Sequence, residues 1–570
     1  MSEVHLLGGE MLGWSDLDGA HGSGPVRGPG LAALLSVASG RTLVVGPHDP
    51  QLLDALPSAD LTVLVRGLPD AEALAARYAG STGVRVCCGG PEKLAGTAAY
   101  DSVVALDGLA RLGSVEGTQL SWGEAFDLLV SVLRPGGRLL LGAENPLGLH
   151  RLLASPPPST DSDWGSFDEY DDTRPAGPAR LRARLTASGL RIGGAWAAFP
   201  SPVAPAALLD PELLADPDLT GFLQAVFGDP AVFGDPAVFG DPAVFGDPAV
   251  LGNRAVPGDQ PLLGNQAVPG DLAELGDGDG GTRDRGTGGG GPVPAAPPLA
   301  DPARLAGSAV RNGIAVELAP AWVLLGERLP GPSTPADQPA ARAQPEADRA
   351  GAVPPAALLV LDGRLREVRR DPAGGWRFAD GGTVPSGRTV EDLVVAATLR
   401  RDLPAVRALL TAWQGGAAAG MPADAVVVTP AGTWHRSTEA ADPMVVLRRL
   451  ASRLVDAGLA DLWPAGELAA MLTTMSGREP GTSVDQVVGA AAGGWRELLT
   501  DRDRLARELS EARALQDWYE RTLTERDDEV KRLRRIVALL HGTPTARAGR
   551  LLLAGARTAR SAVRRLRPTD

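Results

Sequence analysis

Between Arg41 and Leu141 short apolar runs alternate with amphipathic stretches, and this constrains the fold more than any other feature of the 570-residue chain. RTLVVG (41–46), LTVLVRG (61–67), VRVCCGG (84–90), YDSVVALDG (100–108) and RLLLGAEN (138–145) read as strands. PQLLDAL (50–56), DAEALAARYAG (70–80) and WGEAFDLLVSVLRPGG (122–137) read as helices, the last closed by Pro135 and two glycines. Short strands alternating with helices predict parallel β/α units. Uninterrupted Leu/Val runs predict a sheet covered on both faces.

This pattern assigns residues 1–224 to a first domain, in which PARLRARLTASGLRIGGAWAAFPSP (178–202) runs from a helix through a Gly turn into a strand. Residues 225–278 repeat with period six, AVFGDP occurring four times before it decays. Such a period can build a parallel β-helix. Gly-Asp-Pro in each unit punctuates the chain strongly, and a disordered insertion over 225–308 is expected. The first domain resumes at 309–328, ending in the strand WVLLG. A Pro/Ala-rich linker (329–355) precedes a small α+β domain (356–490). In it ALLVLDGRLREVRR and GGWRFADGG look like paired strands, and AVVVTPAGTWHR looks like a hairpin. Leu505, Leu509, Ala512, Gln516, Tyr519, Leu523, Arg526, Val530, Leu533, Val537 and Leu540 follow a 4-3 spacing, so 491–542 reads as a coiled coil that self-associates.

Net charge is −14, but residues 546–570 carry seven Arg and one Asp, leaving −20 on the rest. An acidic body disfavours nucleic-acid binding. The basic tail (543–570) is a candidate for weak contact with a membrane surface. No apolar stretch is long enough to span a bilayer and no secretory signal is visible, so a cytoplasmic protein is expected. The adjacent Cys87 and Cys88, the two cysteines of the chain, form neither a disulfide framework nor a zinc site. DSDWGSFDEYDD (161–172) matches no compact metal loop, and His435 has no Cys or Asp close by in sequence, so no metal is expected.

YDSVVALDGLARL (100–112) and LLVSVLRPGGRLLLGAENPLGLHRLL (128–153) carry a resemblance. Over about residues 30–202 and 309–328 the chain resembles a class I S-adenosylmethionine-dependent methyltransferase, of a bacterial subgroup linked to glycan biosynthesis. The expected fold class is therefore α/β, a Rossmann-like methyltransferase sheet with a smaller α+β unit and a C-terminal coiled-coil helix. The resemblance implies S-adenosyl-L-methionine as cofactor, with Gly46 in the first turn, Glu92 near the adenine position and Asp107 lining the transfer site. It implies methylation of an oxygen on a glycan or small metabolite. Glu144 and His150 are the candidate bases for the acceptor hydroxyl.

The cofactor motifs are degenerate. His48 and Pro50 stand where glycines are expected, and Arg66 stands where a ribose-binding acid is expected. An arginine cannot accept a hydrogen bond from a hydroxyl. A catalytically inactive methyltransferase-fold scaffold, recruiting partners through its coiled coil, is the alternative.

Overall fold

The computed structural model describes residues 4–19, 23–94, 100–114, 116–153, 171–233, 301–329, 354–436, 440–459, 462–463 and 468–479. Near the C-terminus it describes 516, 518–519, 521–524, 526, 528–538 and 544–565. The chain divides into two compact units, Met1–Gln486 and Val487–Asp570.

The first unit is built on twelve described strands in one sheet. In chain order they are β1 (His5–Leu6), β2 (Arg41–Val45), β3 (Asp60–Val65), β4 (Val84–Cys88), β5 (Tyr100–Ala105), β6 (Leu133–Glu144), β7 (Leu190–Phe199), β8 (Ala207–Leu209), β9 (Ala321–Arg328), β10 (Ala357–Leu361), β11 (Arg364–Arg370) and β12 (Trp376–Phe378). Their order across the sheet is β1-β4-β3-β2-β5-β6-β9-β7-β8-β10-β11-β12. Pairing is parallel from β1 through β6, and antiparallel where β9 enters between β6 and β7. This is the expected Rossmann-like methyltransferase sheet. Strand order reverses at β2/β5, and open α/β sheets bind ligands beyond the carboxyl ends of the strands at such a switch point.

Alternation along each strand sends side chains to two cores. Leu43, Val45, Cys87, Val103 and Leu139 pack with helices Trp122–Val132, Pro178–Ala187, Thr220–Phe227 and Pro302–Arg311. Val44, Val63, Val86, Cys88, Val104 and Leu140 pack with helices Pro29–Leu34, Pro50–Asp54 and Leu68–Arg77. The adjacent cysteines thus face opposite layers, both buried and unpaired.

Three expectations need correction. LRPGG does not end a helix. The helix stops at Val132, and Leu133 already pairs with Tyr100, the next registered pair being Ser102 with Arg138. Residues 134–137 bulge out between them, which tolerates a proline and two glycines within a strand. The insertion is narrower than 225–308. Phe227, Val232 and Phe233 of the first two hexapeptides are at most 2% exposed and pack around Phe199, and at the far end Ala306 lies in the same core. Residues 234–300 lie outside the described residues.

Nor does 356–490 begin a separate sheet. β10 pairs with β8, and β10–β12 extend the main sheet. What remains is a satellite layer: β13 (Arg388–Thr389), β14 (Val426–Thr429) and β15 (Gly432–His435), with helices Val390–Leu399, Leu403–Gln414, Pro443–Asp456 and Leu468–Met475. It has its own core around Val394, Leu410, Trp413 and Leu450. It is tied to the first layer by a buried Arg436–Asp229 pair at 2.8 Å and an Arg453–Asp301 pair at 2.8 Å.

Most of the expected coiled coil lies outside the described residues. Its described apolar seam positions Tyr519, Leu523, Val530, Leu533 and Val537 are helical and exposed.

Candidate active site at the carboxyl edge of the sheet

The carboxyl ends of β2 to β4 are crossed by the N-terminal segment 4–28, of which 20–22 lie outside the described residues. It docks by backbone hydrogen bonds to each strand end in turn. Leu7 N–H donates to Cys88 O (2.8 Å), Met11 N–H to Arg66 O (2.9 Å) and Val26 N–H to Pro47 O (3.0 Å). Asp49 N–H donates back to Val26 O (2.9 Å). The approach is close enough to require glycines. A Cβ on Gly89, at φ +126°, would lie 2.5 Å from Gly8 O, and one on Gly67 would lie 2.2 Å from Trp14 O.

This segment meets Arg66. The guanidinium makes a two-pronged pair with Asp16, both bonds 2.7 Å, and stacks over Trp14 with 5.6 Å to the ring centroid. Trp14 Nε1 also donates to Asp16 (3.1 Å), and the Asp16 side chain is 3% exposed. Burial alone would raise the Asp16 carboxyl; the Arg66 hydrogen bonds and charge outweigh it and hold it below the usual range. The acid expected at the end of β3 is thus supplied from fifty residues upstream, and it is spent on the arginine that replaced it.

Gly46 and Asp107 meet at the switch point: a Cβ on Gly46 would lie 3.5 Å from Asp107 Cβ. Asp107 is paired with Arg111, whose Nε donates at 2.9 Å, and Arg111 also donates to Gly24 O at 2.9 Å. Burial pushes the Asp107 carboxyl up to about 6 against the pull of Arg111. His48 fills the space between the turn and the next strand. Its Nε2 accepts from Leu106 N–H (3.3 Å), which leaves Nδ1 to donate to Gly46 O (3.1 Å). Burial pushes His48 down to about 4, so the ring is neutral at pH 7.

Glu92 lies on the short 3₁₀ turn Pro91–Leu94 after β4, and its Oε2 is buried without a hydrogen-bond partner among the described residues. It is folded back beneath Gly90, and a Cβ on that glycine would collide with the carboxylate.

Glu144 and His150 come together. Glu144 ends β6, and the turn Asn145–Gly148 returns the chain so that His150 Nε2 lies 2.9 Å from Glu144 Oε1. Asn145 pins that turn by donating to Glu317 O (2.7 Å) and Ala319 O (2.8 Å). Arg151 Nε donates to the same carboxylate oxygen at 2.8 Å. Burial opposes ionisation of Glu144, but the His150 and Arg151 hydrogen bonds prevail and bring it down to about 2. With Nε2 committed to Glu144, the other ring nitrogen, Nδ1, is buried and has no hydrogen-bond partner among the described residues. Gly148 makes room for the ring: a Cβ there would lie 2.7 Å from Nδ1.

The five residues expected from the sequence therefore fall at the carboxyl edge, at the ends of β2, β4, β5 and β6. Asp16 and Arg111 escaped sequence reasoning. Arg66, a cation ending a buried strand and in need of a counter-ion, was the available signal. No group of three or more His, Cys, Asp or Glu that could hold a metal occurs among the described residues.

No family model and no curated protein matches the chain. Among solved structures it overlaps N-methyltransferase NodS from Bradyrhizobium japonicum in complex with S-adenosyl-L-homocysteine, at 19% identity over 20% of this chain, TM-score 0.18. The chain spans 59% of that structure, less than two thirds of its length. It overlaps the YcgJ protein of Bacillus subtilis at 17% identity, over 29% of this chain and 71% of that one, TM-score 0.21. It overlaps the [4+2]-cyclase SpnF at 15% identity, over 53% and 79%, TM-score 0.23. The fold assignment rests on strand order and pairing, not on these partial overlaps.

Proposed function

We propose that the chain is a cytoplasmic S-adenosylmethionine-dependent methyltransferase that methylates an oxygen of a glycan or small metabolite, and that its N-terminal segment closes the cofactor crevice. The observation that carries this reading is the Glu144-backed His150 with its unpartnered Nδ1, set at the sheet edge where this fold takes ligands.

Whether the crevice fits the cofactor depends on segment 4–28. With the segment in place, Asp16 satisfies Arg66 and Asp107 satisfies Arg111, each carboxylate 3% exposed, and neither is free for a nucleotide. Glu92 Oε2 is the acceptor left over, and it fits the exocyclic amine of an adenine. Lifting the segment uncovers the Gly46 turn and removes the Gly24 O that anchors Arg111, so that Arg111 can swing off Asp107. Asp107, that turn and Glu92 would then hold the cofactor, which supplies a methyl group on a sulfonium. The chain's own contribution is proton handling. His150 Nδ1 would take the proton of an acceptor hydroxyl, and Glu144, ionised at any physiological pH, would stabilise the imidazolium that results.

A second reading, the catalytically inactive scaffold, is favoured by the mutual saturation of the two ion pairs. Calorimetric titration of the full chain with S-adenosylhomocysteine separates the two. The enzyme reading expects weak binding that tightens at least tenfold in Asp16→Asn, where the latch is loosened, and that is lost in Asp107→Asn. Absence of heat in both the native chain and Asp16→Asn leaves the scaffold.

The exposed seam around Leu523, Val530 and Leu533 is suited to a second copy of this chain. By heptad position a parallel pair would set Glu529 opposite Arg534. Mass by light scattering, halved by Leu523→Pro, reads that pairing.

A further inference from the structure

The helix Pro544–Arg565 contains six arginines and no acidic residue. Its described side chains from Arg547 to Ser561 are exposed, apart from the half-buried position at Gly549. At 100° per residue Ala548, Leu551, Leu552, Gly555, Ala556 and Ala559 share one arc, and Arg547, Arg550, Arg557 and Arg560 share the opposite arc. Leu551 and Leu552 are each 75% exposed, and Leu553, on the arginine side, is 62% exposed. Gly549 and Gly555 do not interrupt it.

We infer that this helix lies on an anionic lipid surface, with its Leu/Ala arc in the acyl boundary and its arginines among the headgroup phosphates. Two observations together select that partner. A helix with cations and no anions calls for a polyanion, by charge complementarity. A nucleic acid would engage the arginines alone and leave adjacent leucines in water; a bilayer takes both faces at once. The helix does not cross the membrane, since no described helix is long and apolar enough to do so. At about 1.5 Å per residue, 22 residues give a rod of roughly 33 Å lying along the surface. Surface attachment would tether the chain at the bilayer whether or not the crevice binds a cofactor.

Flotation of the full chain with vesicles tests the inference. With vesicles of phosphatidylglycerol and phosphatidylcholine in equal parts, at low salt, most of the protein is expected to float. With pure phosphatidylcholine it should stay at the bottom. Leu551→Asp with Leu552→Asp should reduce flotation at least tenfold. Arg557→Gln with Arg560→Gln should reduce it severalfold and flatten its salt dependence. These side chains are exposed, and an unchanged far-ultraviolet dichroism spectrum excludes loss of the helix. Flotation that is absent, equal on neutral vesicles, or insensitive to the leucine pair overturns the inference. So does retention on duplex DNA that matches vesicle binding and survives the leucine substitutions, which identifies a nucleic acid as the partner.

Discussion

The two ends of the candidate site treat their charges in opposite ways. Beneath the N-terminal segment the two carboxylates at the ends of β3 and β5 are spent: Asp16 on Arg66, Asp107 on Arg111. One strand further, at the end of β6, Glu144 is spent on His150, but the imidazole keeps one nitrogen without a partner. A saturated buried pair has little left to offer a ligand, because its Coulomb energy already offsets its own desolvation. An oriented histidine with a free lone pair retains chemistry. The lesson is that an acid in the right place in a fold is informative only once its partners are counted.

Breaking the closed end should give the largest effect. Asp16→Ala leaves the Arg66 guanidinium buried without its counter-ion and should cost about 3–5 kcal/mol in urea unfolding. Replacing both partners by apolar residues should restore much of that. A loss under about 1 kcal/mol in the single variant would show that the segment is not latched there.

The pH dependence of stability sharpens the same contrast. Folding lowers His48 from 6.5 to about 4, so its contribution is full above pH 6.5 and is lost as pH falls toward 4, a swing of about 3 kcal/mol. Folding raises Asp107 from 3.8 to about 6, so its contribution is full below 3.8 and is lost as pH rises through 6, about 3 kcal/mol in the opposite sense. The two nearly cancel, and the native chain should show little change in stability from these groups between pH 4 and 6.5. His48→Gln should expose the Asp107 slope, stability falling as pH rises across that window. Unfolding midpoints that rise with pH in this variant would contradict the assignment.

The smallest effect belongs to the open end. Gly148→Ala drives a Cβ toward His150 Nδ1 and toward Pro320 Cα at 2.9 Å. Overpacking of this kind costs about 1–3 kcal/mol. Displacement of the ring from Glu144 should be visible as a change in the His150 ring proton shifts by NMR, with any turnover falling further than stability does.

Much of the sheet was legible in the sequence because buried parallel strands must be apolar on both faces, and β2 to β6 each are. Pairing partners were less legible. ALLVLDGRLREVRR reads as one strand paired with GGWRFADGG, whereas it turns back on itself as β10 and β11, and an apolar run does not reveal that its free edge will meet β8. The bulge at 134–137 was masked by Pro-Gly-Gly, which punctuates a helix and a strand equally well. The N-terminal segment was invisible because its order comes from hydrogen bonds to strand ends, not from any periodicity of its own. Glu144 and His150 were both picked out, but not as partners: they are six residues apart, a spacing that no regular helix or strand brings together, and the Asn145–Gly148 turn joins them.

The position of β9 sets a condition on biosynthesis. It lies between β6 and β7, yet it is made well over a hundred residues after either. Until Ala321–Arg328 has left the ribosome, the nascent sheet has two long unpaired margins, and unpaired margins attract the strands of other chains. Contacts of such large sequence separation also form slowly. The most vulnerable moment in this protein's life is therefore while the stretch between β7 and β9 is being translated, when a chaperone has most to contribute.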